Sequence, residues 1–255
     1  MAYRAATDDD VACFEEHGWI AIEDAVDPDD LALLAARCDE IVANKESMAF
    51  DWAWEKGKDR DERDFRILQS SPSLLWGDAF AQAPFRLWAI EFASALMRLP
   101  VEFWYDQFLA KPPERSVATR WHQDEGYWGR NLDGKGITCW MPLHDVDASN
   151  GCMHFVDGGH RDGVLEHHNA EDVQSDLLYC EPDVARSVAC PLPVGGVTFH
   201  HSKTPHMTPA NVSGEWRRIL TQHLREQGAP GEGDHFRWKI YVNQFTGERV
   251  TPAVR

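Results

Sequence analysis

Residues 196–224 read GVTFHHSKTPHMTPANVSGEWRRILTQHL. Two runs rich in β-formers, GVTFHH and RRILTQHL, flank a segment broken by Pro205, Pro209, Asn211 and Gly214, the pattern of strands joined by turns. The same texture recurs upstream to Val101, in EFWYDQFLAK, ATRWHQDEGYW, GITCWMPLHDV, GCMHFVDGG and ARSVACPLPV, with Asp-Gly, Asn-Gly and Gly-Gly steps between them. Many short strands at near-regular spacing predict a β-sandwich or barrel.

The first hundred residues read differently. TDDDVACFEEHG predicts a short helix capped by Thr7 or Asp8 and ended by Gly18. WIAIED (19–24) alternates as a strand. DPDDLALLAARCDEIVANK predicts a second helix with Asp27 as cap, Pro28 in its first turn, and Leu31, Leu34, Cys38, Ile41 and Val42 on one face. Residues 46–68 read as irregular, their charge run KGKDRDERD as a solvated face, and PFRLWAIEFASALMR (84–98) as a third, amphipathic helix. The expected architecture is α+β: a helical part over about 1–100, then a double-sheet β-core over about 101–245, in one domain spanning 1–255.

Composition narrows function. The chain of 255 residues has 43% hydrophobic residues and 11 tryptophans, ample for a core, with no linker or repeat dividing it. Its formal charge of −17 makes it a poor match for nucleic acid or anionic membrane, and neither is expected as a partner. No apolar run approaches the ~18 residues of a membrane span, and MAYRAATDDDVACFEEHGW lacks a signal peptide's apolar stretch. Six scattered cysteines without a CxxC pair predict free thiols in a reducing cytoplasm. A small-molecule substrate and a monomer or homodimer are expected.

Chemistry concentrates in TRWHQDEGYWG (119–129). Read as a strand, it places His122 and Asp124 on one face about 6.6 Å apart, so both can converge on one ion. A third ligand must come from elsewhere, and the quoted segment offers His200, His201 and His206. Two histidines and one carboxylate with open positions form the ligand set of non-haem Fe(II) oxygenases. Arg217, eleven residues after His206, suits the far carboxylate of a chelating dicarboxylate, and strand alternation turns only one of Arg217 and Arg218 inward.

Together these elements resemble the phytanoyl-CoA dioxygenase family of Fe(II)/2-oxoglutarate oxygenases. The resemblance runs from about Gly18 to Arg225 and rests on KPP, HQD, NGCM, the later HxxxxN and the arginine, in that order. It implies a double-stranded β-helix, a jelly roll with flanking helices, that uses Fe(II), 2-oxoglutarate and O2 to hydroxylate or otherwise oxidise an unactivated C–H, with release of succinate and CO2. It implies His122, Asp124 and His206 as iron ligands, because the family's distal histidine precedes Asn by five positions and Arg by eleven, here Asn211 and Arg217; His200 and His201 do not fit that spacing. It further implies Arg217 and Thr208 on the distal carboxylate, with Gln107, Lys111 and Trp140 lining the co-substrate pocket. Two turns depart from the family's pattern: Asp157-Gly158-Gly159-His160 stands for PGSH, and Gly195-Gly196 for Gly-Asp.

The retained Asp124 favours hydroxylation over halogenation, which needs a small residue there. Phe50, Trp52, Trp54, Tyr127 and Trp128 are candidates for an aromatic wall over the substrate. The acidic surface offers no basic patch for a CoA thioester, so a natural-product intermediate or an amino-acid-like molecule is the expected substrate class. Two rivals stand beside this reading: a zinc hydrolase on the same three ligands, and a jelly-roll binding module without catalysis. The hydrolase needs a general base, and Glu125, adjacent to Asp124, is expected on the strand's opposite face.

Overall fold

The computed structural model describes residues 3–44, 51–59, 62, 64–76, 80, 82–128, 132–174, 178–229, 241–242 and 249–250. The first helix, α1 (Asp8–His17), begins as its sequence requires: the Thr7 side chain accepts from the Asp10 N–H, and the Asp10 carboxylate accepts in return from the Thr7 N–H. It ends on Gly18 at φ 75°, where a side chain would also collide with His160 and Thr204. Strand β1 (Trp19–Ile22) follows, then α2 (Pro28–Ala43), capped by Asp27 with Pro28 in its first turn; Leu34, Cys38 and Ile41 are buried.

Residues 46–68, expected to be irregular, instead contain β2 (Asp51–Glu55) and the start of β3 (Phe65–Ser70). Their edge pairing, rather than local alternation, makes them strands: β2 pairs with β3, and β3 with the long β4 (Val101–Lys111). The short α3 (Ser73–Trp76) and then α4 (Pro84–Met97) lie between β3 and β4. The second half continues with β5 (Thr119–His122), α5 (Asp124–Trp128), β6 (Gly136–Pro142), β7 (Met153–Val156), β8 (His168–Asn169), β9 (Val173–Gln174), β10 (Leu178–Tyr179), β11 (Ser187–Cys190), β12 (Val197–His201), β13 (His206–Thr208) and β14 (Arg217–Glu226), and a small ribbon, β15 (Tyr241–Val242) with β16 (Arg249–Val250). The stretch ATRWHQDEGYW is thus a strand only as far as His122, and a helical turn starts at Asp124.

The strands form a jelly roll. The main sheet runs β1-β12-β6-β14-β4-β3-β2-β9, and a second sheet runs β11-β7-β13-β5. The main sheet is covered on both faces, so its central strands are buried almost throughout, β6 at every position. On the outer face, Phe108, Ala110, Ile137, Cys139, Met141, Val197, Phe199, Leu220 and Leu224 join one core with Trp88, Phe92 and Leu96 of α4. On the inner face the alternate residues of β4, β6, β12 and β14 border a cavity roofed by the second sheet. All six cysteines are free thiols, and among the described residues no helix is long and apolar enough to cross a membrane.

One buried ion pair locks α4 to the sheet. Arg86 of α4 donates to Asp106 of β4 at 2.7 Å, with the two side chains 4% and 0% exposed. The Asp106 carboxylate also accepts from the Ser73 N–H at 3.4 Å, and the guanidinium lies 3.7 Å over the Phe103 ring. Burial raises the Asp106 pKa even against the opposing pull of Arg86. Removing one partner leaves the other charge buried and uncompensated, so Asp106→Ala is expected to destabilise the fold by about 3–5 kcal/mol. Urea unfolding checks this; a loss below about 1 kcal/mol would show that solvent reaches the pair.

Candidate metal centre

Register brings two of the candidate ligands together. His122 of β5 lies directly opposite His206 of β13, and their ring centroids are 4.1 Å apart. Each ring is fixed in the same way: His122 Nδ1 lies 2.7 Å from the carbonyl of Arg120, and His206 Nδ1 lies 2.9 Å from the carbonyl of Thr204. A carbonyl only accepts, so both Nδ1 atoms carry the hydrogen and both Nε2 lone pairs are left for a metal. Asp124 reaches the same point from the first turn of α5, not by strand alternation. The three ligand atoms lie within 4.8 Å of one another, and all three residues are buried.

Gln123, between the ligands, faces away and ties two loops to the motif. Its amide donates to the carbonyls of Gly163 and Lys203 at 2.7 and 2.6 Å and accepts from the Leu165 N–H at 2.8 Å. Glu125 also turns away from the centre, accepting from the Gly134 N–H at 3.1 Å.

The electrostatics suit a cation. Burial alone would raise the Asp124 pKa, but His206, His200 and His223 outweigh it and hold the carboxyl well below its usual range. Burial lowers His122 to about 4, against the pull of Asp124, and lowers His206 further below its ordinary value with help from His122 and His200. The carboxylate is therefore ionised and the imidazoles neutral at pH 7, the protonation state that metal binding requires.

At the far end of the cavity stands Arg217, first residue of β14 and 1% exposed. Its Nη2 donates to Thr208 Oγ1 at 3.0 Å, while Nε and Nη1 are buried with no partner. Burial, then the charge of Arg66, lowers its pKa to about 9, so it stays cationic at neutral pH. Lys111 donates to the same Thr208 hydroxyl at 2.8 Å and to the carbonyls of Thr208 and Pro209 at 2.9 and 2.5 Å. Burial, then the charges of Arg217 and Arg66, lowers the Lys111 pKa well below its ordinary value, and Lys111 supports Thr208 from behind the cavity wall rather than lining it. Trp140 lines the cavity with its ring centroid 5.9 Å from the Arg217 guanidinium, and Gln107 lines it beside His223. Gly151, at φ 98°, lets the chain pass close to Arg217; a Cβ there would lie 3.4 Å from its Nε. Asn211 sets the turn into β14, donating to the carbonyls of Pro112 and Glu215 at 3.0 and 2.7 Å. Arg218 faces outward and pairs with Asp39 of α2.

Of the expected substrate residues, Phe50 lies outside the described residues, as do the side chains of Trp52 and Trp54, whose backbones pair with Ile67 and Phe65. Tyr127 packs edge-on to His122 at 5.7 Å, with its hydroxyl donating to the Leu178 carbonyl. Trp128 donates to the Tyr105 hydroxyl and packs against His223. Neither borders the cavity. The residues that motif spacing did not reveal are His200, Thr138, Thr221 and His223, all of them cavity-lining. Period-two alternation from Arg217 along β14 points to Thr221 and His223.

Several imidazoles are buried as neutral groups, His122 and His223 with pKa values lowered to about 4 and His201 to about 3, each chiefly by burial. A folded pKa below the unfolded one means that the unfolded chain takes up the extra protons. The stability these groups contribute is complete above about pH 6.5 and is lost as pH falls towards 4. Each adds up to about 1.4 kcal/mol per pH unit in that window. Urea unfolding of the metal-free protein at pH 7, 6 and 5 is expected to show a steepening loss; a flat profile would contradict the neutral, buried state of these rings.

Comparison with known proteins shows the family. The Phytanoyl-CoA dioxygenase (PhyH) family model matches residues 14–219. Phytanoyl-CoA dioxygenase domain-containing protein 1 of Danio rerio is 29% identical over 111 residues, 41% of this chain and 38% of that protein. A probable alpha-ketoglutarate-dependent hypophosphite dioxygenase of Stutzerimonas stutzeri is 29% identical over 120 residues, 43% of this chain and 40% of that protein. The chain's matches thus span well under half the length of these curated relatives. Among solved structures, EvdO2 from Micromonospora carbonacea var. aurantiaca complexed with 2-oxoglutarate superposes with TM-score 0.70 at 23% identity, covering 92% of this chain and 99% of that one. The non-heme alpha ketoglutarate dependent carbocyclase SnoK from nogalamycin biosynthesis gives 0.68 at 23% identity, covering 90% and 89%. With a family match over most of its length and the jelly-roll fold in place, the chain belongs to the phytanoyl-CoA dioxygenase (PhyH) family.

Proposed function

We propose that the chain is a non-haem Fe(II)/2-oxoglutarate-dependent dioxygenase that hydroxylates, or otherwise oxidises, an unactivated C–H of a small organic substrate, with formation of succinate and CO2. One observation carries the reading: a His-Asp-His centre shares a buried cavity with an arginine that has two unpartnered donors. Bound Fe(II) supplies the one-electron and O2 chemistry that side chains lack.

The chain's own residues do the rest. His122, Asp124 and His206 offer two neutral imidazoles and one carboxylate, the ligand set that suits Fe(II). Arg217 Nε and Nη1, with the Thr208 hydroxyl beside them, are placed to receive the distal carboxylate of 2-oxoglutarate, a charge-assisted recognition. Lys111 fixes Thr208 for that contact. Leu109, Trp140, Met153 and Ile219 give the cavity apolar walls that limit water around the reacting groups. The cavity of about 60 Å³ accommodates a few water-sized groups, in scale with a small dicarboxylate.

This arrangement disfavours the zinc hydrolase. Such an enzyme needs a carboxylate base beside a metal-bound water, yet Asp124 is the one carboxylate on the cavity wall among the described residues, and Glu125 is engaged with Gly134. A binding module without chemistry leaves the metal-ready protonation state unexplained. EvdO2 is complexed with 2-oxoglutarate, in keeping with the co-substrate, and SnoK is a carbocyclase from nogalamycin biosynthesis, which favours a small natural-product substrate for this chain. Six free thiols are in keeping with a reducing cytoplasm.

Arginine replacement tests the assignment. Losing one partner of a buried charge pair costs roughly 2–5 kcal/mol. At about 1.4 kcal/mol per decade, Arg217→Ala is expected to weaken 2-oxoglutarate binding by about 30-fold or more. Arg218→Ala, on the outer face, should change it little. Calorimetry of the metal-loaded protein under nitrogen reads both, and equal small effects would remove the carboxylate clamp.

A further inference from the structure

One rung of the main sheet lies directly beneath the metal carboxylate. His200 of β12 is in register with Thr138 of β6, and Thr138 with His223 of β14. All three side chains converge on one oxygen, Oδ2 of Asp124: His200 Nε2 at 3.3 Å, Thr138 Oγ1 at 2.5 Å and His223 Nδ1 at 4.0 Å. The other oxygen, Oδ1, faces His206 Nε2 at 3.7 Å.

Hydrogen accounting sets the direction of this network. A carboxylate only accepts, so the Thr138 hydroxyl donates to Asp124. Its oxygen must then accept from His223 Nδ1, 2.9 Å away, which places the hydrogen of His223 on Nδ1. That ring is held firmly: it stacks on Tyr105 at 4.3 Å, meets Trp128 edge-on at 5.5 Å, and its Nε2, left without a hydrogen, lies 3.1 Å from the Thr221 hydroxyl. His200 is 1% exposed and neither of its ring nitrogens has a hydrogen-bond partner; its ring centroid lies 4.3 Å from that of His206 and 5.5 Å from that of Phe155.

We propose that the rung His200–Thr138–His223 keeps Asp124 Oδ2 off the metal, so that Asp124 binds through Oδ1 alone. The proposal rests on the Fe(II)/2-oxoglutarate reading. A carboxylate free at both oxygens binds a cation through one or both. Three single-atom protein ligands leave three positions of an octahedron, and a chelating 2-keto acid together with O2 needs all three. An Asp124 bound through both oxygens would remove one of them. A hydroxyl at 2.5 Å, with two imidazoles alongside, competes for Oδ2 and prevents that. These three are positioning residues: each acts through Asp124.

The test uses Co(II) as an oxygen-stable probe and needs no turnover. Metal-free wild type, Thr138→Val, Thr138→Ser and His223→Phe are titrated with Co(II), then with 2-oxoglutarate, and followed by the visible absorption of the bound cobalt. The valine keeps the shape and loses the hydroxyl; the serine restores it; the phenylalanine keeps the stack on Tyr105 and loses the Nδ1 donor. The expected result is a split. Thr138→Val binds Co(II) as tightly as wild type or more so, yet binds 2-oxoglutarate about tenfold or more weakly. Thr138→Ser behaves as wild type, and His223→Phe shows the same split in smaller measure. An unchanged 2-oxoglutarate affinity in Thr138→Val overturns the proposal. So does a parallel fall in Co(II) affinity, which would mark the rung as merely orienting Asp124 for the metal. Should Thr138→Val not fold, His223→Phe decides by the same criterion. A wild type that takes up Co(II) but never 2-oxoglutarate overturns the functional reading itself, a failure visible before any variant is compared.

Discussion

An ionised carboxylate buried among four imidazoles is the constraint around which the rest of this fold is arranged. Asp124 is 6% exposed, and His122, His200, His206 and His223 all lie close enough to influence it or one another. A lone buried charge is expensive, and the surrounding side chains repay only part of that cost. A divalent cation repays it directly, because it meets a charge already formed and lone pairs already exposed. The hydrogens on Nδ1 of His122 and His206, fixed by backbone carbonyls two residues earlier, make the same preparation on the imidazole side.

The cavity is electrically two-ended. Asp124 supplies negative charge at one end, and Arg217 supplies positive charge at the other. Both ends are costly when empty and complementary when a cation and a dicarboxylate are bound. Strand β14 spans this distance alone, with Arg217 at its start and His223 six residues later, each turned inward, while Leu220 and Leu224 face the helical core. One strand therefore couples the packing of α4 to the spacing of the two charged ends, and the buried Arg86–Asp106 pair fixes that packing.

Much of this was legible in the residues. Caps and periodicity located α1, α2 and α4 within a residue or two, because Thr7, Asp27, Pro28 and Gly18 act locally. Turn signals and short strands pointed to a double-sheet β-core and alternation to one inward arginine; the jelly roll and the choice of Arg217 over Arg218 came from the family resemblance. Strands β2 and β3 were hidden because their order comes from pairing at the far side of the main sheet, beyond the reach of local pattern. The same limit applied to Asp124: alternation predicted a shared strand face, whereas β5 stops at His122 and a helical turn delivers the carboxylate. His200 fitted no ligand spacing and so seemed uninvolved, yet register places it beside Asp124. His223 was readable in principle, as the third inward step from Arg217.

The most direct test of the account is an anaerobic titration of metal-free protein with Fe(II) in the presence of 2-oxoglutarate. The account predicts a weak visible charge-transfer band that grows to one equivalent of iron per chain and is absent in His206→Ala. A protein that binds iron without such a band, or a band undiminished in His206→Ala, would contradict the assignment of this centre.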